Sequence, residues 1–534
     1  MSTDTTGTIA TCVTVERYTP ISLILVGLGM LVLITGCSHS SIIEAQEEVR
    51  SYETFSEAEV EAITTHLDDV YRHDGEDRVL YHLEKGMVYH YYGEWETSSH
   101  HLERAERAIE ENYTRSITQN VSSLLVNDLE RDYFGEAYED FYINVINSLN
   151  YLHRGDMSGA AVESRRVTQK LDTFSDRYRG LAASLANPPD TSETISADTT
   201  QIVLSQVDDE FDDVDLSPDE LEEKAGAMNQ HSTMARFLTT VVSAKGGEPD
   251  RSRIEYKQLQ TAASDQGRGD FIQNVADATR SAYTPPQSPQ PLFSLGSDSL
   301  FDEFAPALNS VPGQTSSPPM SDGGIYMLEN SDQLTDGTAY NTVVMAFGGR
   351  LPAKREEAFS IPVEIGDDTI TLDFAVPVLS PFQTQIDEVQ VTHEDTGEAF
   401  RLPMVENMHA VARRVFDETK SAIYVRAVLR SFIQAAATKG AADLADEELG
   451  AGAGFLAAGL GNMASSQVTR ADLRTAQTLP GQAYGLVLDL SPGTHTLTFQ
   501  YLSRSGRVLH EQSREVSVRE QENNLSVATG YYLR

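Results

Sequence analysis

The sequence predicts an α+β chain of more than one domain, with helical hairpins first and an antiparallel, strand-rich part last. Three observations carry this. From Ser56 to about Leu185, apolar residues recur at helical spacing with glycines between the periodic stretches. From Asn341 onward, short runs rich in Val, Ile, Thr and Phe alternate with turn residues. Between the two, eight of the chain's 20 prolines fall from Pro285 to Pro319, which reads as a linker. The chain has 534 residues, 40% of them hydrophobic, enough apolar matter for real cores.

Charge narrows the partners. There are 81 acidic and 40 basic residues, for a net charge of −41. That excludes nucleic acid as a main partner, which needs a basic footprint. It also excludes strong electrostatic attraction to an anionic membrane surface. Only eight of the 40 basic residues are lysine. Excess carboxylate with scarce lysine suits a protein that stays hydrated in concentrated salt, where self-repulsion is screened. An acidic secreted protein from a GC-rich genome would look the same. Two cysteines exclude a disulfide scaffold and a multi-cysteine metal site.

The N-terminus carries an address. Ile21 to Ile34 is a run of 14 residues, apolar apart from Ser22. It is short for a membrane span and suits a signal-peptide core. It leads into Ile34-Thr35-Gly36-Cys37, which resembles the bacterial lipobox. The resemblance implies cleavage before Cys37 and acylation of its sulfur. Residues 1–36 would be the signal peptide and 37–55 a tether. Two or three acyl chains, palmitate among them, anchor stably where one would not. Ser38 in place of Asp points, by the sorting rule of enteric bacteria, to the outer membrane. A retained N-terminal anchor is the alternative, because the leader carries Asp4, Glu16 and Arg17 and is not clearly positive.

Residues 56–284 are expected to form the helical domain, with an acidic insert near 186–225. Gly86, Tyr89, Gly93, Trp95, Leu102 and Ala105 stand at the spacing of a tetratricopeptide repeat. Gly86 would let two helices approach, Gly93 would sit in the turn, and Trp95 and Leu102 would fill the contact. Tyr151, Gly155, Met157 and Ala160 repeat that spacing. A weaker third hairpin spans Met234 to Ala262. A long helix is expected over Leu124 to Tyr142. Stacked hairpins make a groove for a partner, so Gly86, Tyr89, Gly93, Trp95, Tyr151 and Gly155 mark the expected partner-binding site. In the insert, Asp208 to Glu223 holds ten acidic residues in sixteen. It lacks the glycine and ligand spacing of a calcium loop and reads as solvated.

The linker is placed at 285–322 and the β-rich domain at 323–534, with a helical insertion at 404–465. Strands are expected at Asn341–Phe347, Ala358–Ile365, Thr369–Val376 and Ile386–His393. Further strands are expected at Tyr484–Leu490, His495–Leu502, Arg507–Val518 and Leu525–Leu533. The helical stretch is net basic, with Arg401, Arg413, Arg414, Lys420, Arg426, Arg430 and Lys439 against Glu406, Asp417 and Glu418. It is expected to pack on the acidic helical domain. Gly450 to Met463 is apolar and glycine-rich but too short to span a membrane.

Three segments together resemble a family of bacterial envelope lipoproteins with tetratricopeptide-like repeats. They are the lipobox, Phe141 to Arg166, and Ala471 to Leu497. The family often has an aromatic before its Leu-Pro pair, where this chain has Gln477-Thr478 before Leu479-Pro480. The resemblance implies no enzymatic activity. The residues agree: no zincin, phosphate-loop, nucleophile-elbow or paired-cysteine motif is present. His82, His90, His100 and His101 read as surface histidines, so no metal or other cofactor is expected. The expectation is a lipid-anchored, periplasm-facing scaffold or adaptor of the cell envelope, binding an envelope protein through its hairpins. No small-molecule substrate is implied. A cell-wall-acting enzyme or its activator, and a subunit of an export apparatus, are the competing classes.

Overall fold

The computed structural model describes residues 46–52, 55–71, 73–118, 132–186, 197–208, 210–211, 214–217, 232–265, 325–326, 334–366, 368–381, 384–449, 470–519 and 524–534. The lipobox with Cys37, the proline-rich stretch 285–322 and Gly450 to Met463 lie outside them.

Local chemistry sets the helix ends. A short helix α1 covers residues 46–51, inside the stretch read as tether. Val49 is buried in the main core, which is what orders it. Helix α2 (Glu57–Val70) opens on a reciprocal capping box between Ser56 and Glu59. Helix α3 (Arg78–Tyr92) stops at Gly93, whose φ of 97° suits glycine. Helix α4 (Trp95–Thr118) follows after one further residue. Helix α5 (Ala137–His153) begins later than the sequence suggests. Residues 132–136 form no helix, and Glu136 with Glu139 caps the start; residues 119–131 lie outside the description. Helices α6 (Met157–Ala186) and α7 (Ala197–Asp208) come next. Helix α8 (Thr233–Lys245) is capped by Ser232, and α9 (Pro249–Asp265) opens on proline.

Helices α3–α4, α5–α6 and α8–α9 are three hairpins. They stack in chain order, with α4 against α5 and α6 against α8. Their shared core includes Leu83, Met87, Leu102, Phe141, Val145, Leu149, Phe237 and Val241.

The strand-rich part follows the sequence expectation closely. The strands are β1 (Ile325–Tyr326), β2 (Thr342–Arg350), β3 (Lys354–Ile365), β4 (Asp368–Leu379), β5 (Glu388–His393) and β6 (Glu398–Leu402). They continue with β7 (Met404–Asn407), β8 (Pro480–Leu490), β9 (Gly493–Leu502), β10 (Val508–Val518) and β11 (Ser526–Tyr532). One sheet runs β1-β8-β2-β11 with β7 also on β8, a second runs β10-β9-β5-β6, and β3–β4 form a ribbon.

The first sheet is the middle of three layers. Val344, Ala346, Leu486, Leu488 and Ala528 face the second sheet. Val343, Met345, Phe347, Val487 and Val527 face the helices. This is why all nine residues of β2 are buried and why Val343 to Phe347 is continuously apolar rather than alternating.

Two expectations for this part are corrected. The strands are not all antiparallel: β11 runs parallel to β2, with Ser526 opposite Thr342. The chain leaves the second sheet at β10 and returns to the first at its open edge. The helical insertion does not begin at residue 404 either. Met404–Asn407 pairs with β8, and helix α10 (Met408–Leu449) starts only after it.

Helix α10 joins the parts. Met408, Val411, Ala412 and Val415 enter the hairpin core. Farther along, Val425, Val428 and Phe432 pack with the β3–β4 ribbon and α7. The acidic insert read as solvated takes part here: Val214 and Leu216 are buried, and Phe211 packs on Phe359 and Tyr424. The acids surround apolar anchors that composition alone obscured.

Candidate functional site: a strap on the hairpins and an open acidic groove

Residues 471–479 cross the hairpins in an irregular, almost fully buried course before entering β8. This strap is the start of the Ala471 to Leu497 segment. Its amides are taken by carboxylates rising from two helices. Ala476 N–H donates to Glu139 Oε1 at 2.7 Å. Gln477 N–H donates to Glu84 Oε1 at 2.5 Å, and Thr478 N–H to Glu84 Oε2 at 3.0 Å. The Thr478 hydroxyl adds a further bond to Glu84. The strap carbonyls are met in turn. Tyr91 Oη donates to Thr478 O at 2.9 Å, and Arg350 Nη1 to Gln477 O at 2.7 Å. Gln46 Nε2 reaches Thr475 O at 3.2 Å.

Arg474 fixes one end. Its side chain is 1% exposed and pairs with Asp472 at 2.8 Å and Asp77 at 3.1 Å. Burial works against its charge, but Asp472 and Asp77 outweigh burial and hold it more firmly protonated than usual. Burial, and after it the charge of Glu136, pushes the Glu139 carboxyl up to about 7. Burial also raises Glu84, against the bonds from Thr478 and Gln477. A third carboxylate does similar work at the third hairpin. Glu406 of β7 accepts from Thr233 N–H at 2.8 Å, Ser232 Oγ at 2.7 Å and Tyr142 Oη at 2.8 Å, capping α8. The face of the hairpins toward the sheets is therefore closed by the chain itself.

Among the described residues, the other face is open. A groove of about 610 Å³ runs between α4 and α6. Glu103, Glu106, Glu110, Asp156 and Glu163 line it with Arg107, Arg166, Lys170, Tyr151 and Val162. Its floor is a polar network. Buried Asn144 Nδ2 donates to Glu106 Oε1 at 2.9 Å and Glu163 Oε2 at 2.6 Å. Lys170 pairs with Glu106 at 2.9 Å and Asp140 at 2.6 Å. Burial raises the Glu163 carboxyl. Burial also acts to raise Glu106, but Lys170, Asn144 and Arg166 together outweigh it and leave Glu106 below the usual range. The rim acids Glu103 and Glu110 are half-buried and exposed.

The sequence-marked residues divide between hairpin packing and the groove. Gly86 is a close approach: a Cβ there would stand 2.6 Å from Leu102 Cδ2. Gly93 and Gly155 are turns with φ of 97° and 73°. Trp95 stacks on His153 at 4.3 Å, and Tyr89 on His101 at 5.7 Å. Of the six, Tyr151 lines the groove, where its hydroxyl donates to Glu103 at 3.1 Å. Cys37 lies outside the described residues.

The histidines are not all on the surface. His82 and His90 are buried, 6% and 3% exposed, because both point into the stack. His82 Nδ1 lies 3.1 Å from His101 Nδ1 across the first hairpin. Burial pushes His82 down to about 3 and His101 and His90 down to about 4. Asp68, whose charge reaches His101, is engaged by Lys85 at 2.5 Å and Tyr81 at 2.6 Å. Metal-ligating geometry is instead found among His393, Asp395 and His495, at one end of the second sheet.

No family model, curated protein or solved structure matches this chain. Fold and site define an α+β protein whose helical hairpins are clasped by a strap from its own β-rich part. Among the described residues, no helix is long and apolar enough to cross a membrane.

Proposed function

We propose that this protein is a lipid-anchored scaffold or adaptor of the bacterial cell envelope, of the kind that carries tetratricopeptide-like repeats. Cys37 would hold it to the membrane, with the hairpins facing the periplasm and the outer membrane the favoured site. One observation carries the adaptor reading. The stacked hairpins spend one face on their own strap and leave an open groove of about 610 Å³ on the other. Glu103, Glu110 and Asp156 at that groove suit a basic segment of an envelope protein, with Tyr151 and Val162 as apolar contact.

Two experiments test it. Intact mass and membrane fractionation of the native protein beside Cys37→Ala test the anchor. The variant is expected to lose the acylated mass and leave the membrane. Retention at full length would make Ile21 to Ile34 a membrane anchor instead. A photo-crosslinking residue at Val162 tests the groove, with one at exposed Val508 as control. A discrete adduct from Val162 alone, lost in Glu103→Lys/Glu110→Lys, supports the proposal. Equal labelling from both positions, or none, contradicts it.

The enzyme reading has one observation in its favour. Glu106 and Glu163 share Asn144, and their surroundings push their protonation apart, as in acid–base pairs. Against it, Lys170 and Arg166 already hold Glu106. Release of cell-wall fragments by the native protein, abolished in Glu163→Gln, would move the assignment to that class.

A further inference from the structure

Two histidines far from the hairpins meet at one end of the second sheet. His393 ends β5, and His495 lies near the start of the neighbouring β9. They are 1% and 6% exposed. His393 Nε2 and His495 Nδ1 stand 2.8 Å apart. Asp395, exposed in the turn after β5, completes a set whose ligand atoms all lie within 4.8 Å of one another.

The outer partner of His495 suits ligation as it stands, and that of His393 requires one change of tautomer. His495 Nε2 lies 2.7 Å from Ser491 O. A carbonyl only accepts, so Nε2 carries the proton and Nδ1 turns its lone pair inward. His393 Nδ1 lies 3.0 Å from Thr396 Oγ1, and Thr396 N–H reaches it at 3.3 Å. The proton between the facing nitrogens therefore sits on His393 Nε2. An ion entering between the rings moves that proton to Nδ1, which then donates to Thr396 Oγ1; Thr396 N–H gives up its bond to Nδ1, and the hydroxyl turns its own proton to Glu398 Oε2 at 3.4 Å. Both imidazoles stay neutral and no proton leaves the protein.

We infer that His393, His495 and Asp395 form a binding site for a divalent transition-metal ion of the zinc class. Two imidazoles exclude calcium and magnesium, which take oxygen ligands. Glu394 and Glu398 flank the site in sequence and add to a field that favours a cation. Three protein donors leave one tetrahedral position for water or a partner's side chain. Two ligands of a tetrahedral zinc stand about 3.3 Å apart, so the rings spread by about half an ångström on binding. Nothing in this inference depends on the adaptor reading.

Titration of the full-length protein, detergent-solubilised and free of any polyhistidine tag, tests the site. The probe is Zn²⁺ alone, in excess Mg²⁺ to occupy the acidic surface. One ion per chain is expected to bind with Kd of about 1 μM or tighter. His495→Gln is expected to weaken binding about 100-fold, and Asp395→Asn about tenfold. Asp395 is exposed, so that variant keeps its fold. Co²⁺ in the native protein is expected to give the intense visible bands of a four-coordinate site, absent in His495→Gln. No saturable binding up to about 100 μM Zn²⁺ would leave only a histidine–histidine hydrogen bond and overturn the inference. Equal affinity in the native protein and both variants would overturn it as well.

Discussion

On the hairpin face turned to the sheets, Glu84 and Glu139 are fully buried and receive backbone amides of the strap. On the face turned to solvent, Glu103 and Glu110 line an open groove and keep much of their hydration. Both faces are acidic, as the composition demands. The inner carboxylates are satisfied by fixed donors of the same chain, so they specify the fold. The outer ones, half-buried and exposed, stay within reach of a second molecule, and the proposed function is placed on them. Acidity alone therefore says little; what each carboxylate faces decides its role.

The largest effect is expected on the inner face. Arg474→Ala leaves Asp77 and Asp472 without their buried partner and should cost about 3–5 kcal/mol. Urea unfolding of the full chain measures it. Glu84→Gln keeps the shape but turns an amide N–H toward the strap's donors, at about 1–3 kcal/mol. If either change proves neutral, the strap is not held as described.

Next comes pH. His90 is buried, and its folded-state value near 4 lies below the ordinary 6.5. Its contribution is fully present above pH 6.5 and is lost as pH falls toward 4, on the order of 3 kcal/mol. Glu139 acts oppositely. Its value near 7 lies above the ordinary 4.5, so its contribution is present below 4.5 and is lost as pH rises through 7. Unfolding midpoints across this range should become flatter on the acid side in His90→Gln. They should become steeper in Glu139→Gln.

Gly86→Ala forces a methyl against Leu102 and should cost about 1–3 kcal/mol, read as a lower Tm. The smallest stability effect belongs to the outer face. Glu103→Gln/Glu110→Gln should change stability by less than about 0.5 kcal/mol. The same pair should remove the crosslink from Val162. That combination separates a binding face from a structural one.

Much of this organisation was legible in the sequence. The strands from β2 to β5 and from β8 to β11 stand out because runs of strand composition, continuous in β2 and alternating in β9, end at turn residues. The hairpins were legible through Gly86, Gly93 and Gly155, which mark a close approach and two turns. The strap was not. It has no periodicity, and Tyr91 meets Thr478 387 positions away. Only the resemblance read at Ala471 to Leu497 drew notice to the segment, without saying why. The His393–His495 pair was missed for the same reason, since its members are 102 positions apart and share no motif. Strand β7 was read as helix because four residues carry too little pattern to show a period.

Hydrogen exchange of the full-length protein tests the central contrast most directly. The account predicts that the amides of Ala476, Gln477 and Thr478 exchange as slowly as those of β2, only on global unfolding. The amides of 158–164, at the groove, should slow only when an envelope partner is added. Strap amides exchanging as fast as the exposed turn at 503–506 would contradict it, because the hairpins would then hold no strap and both faces would be open.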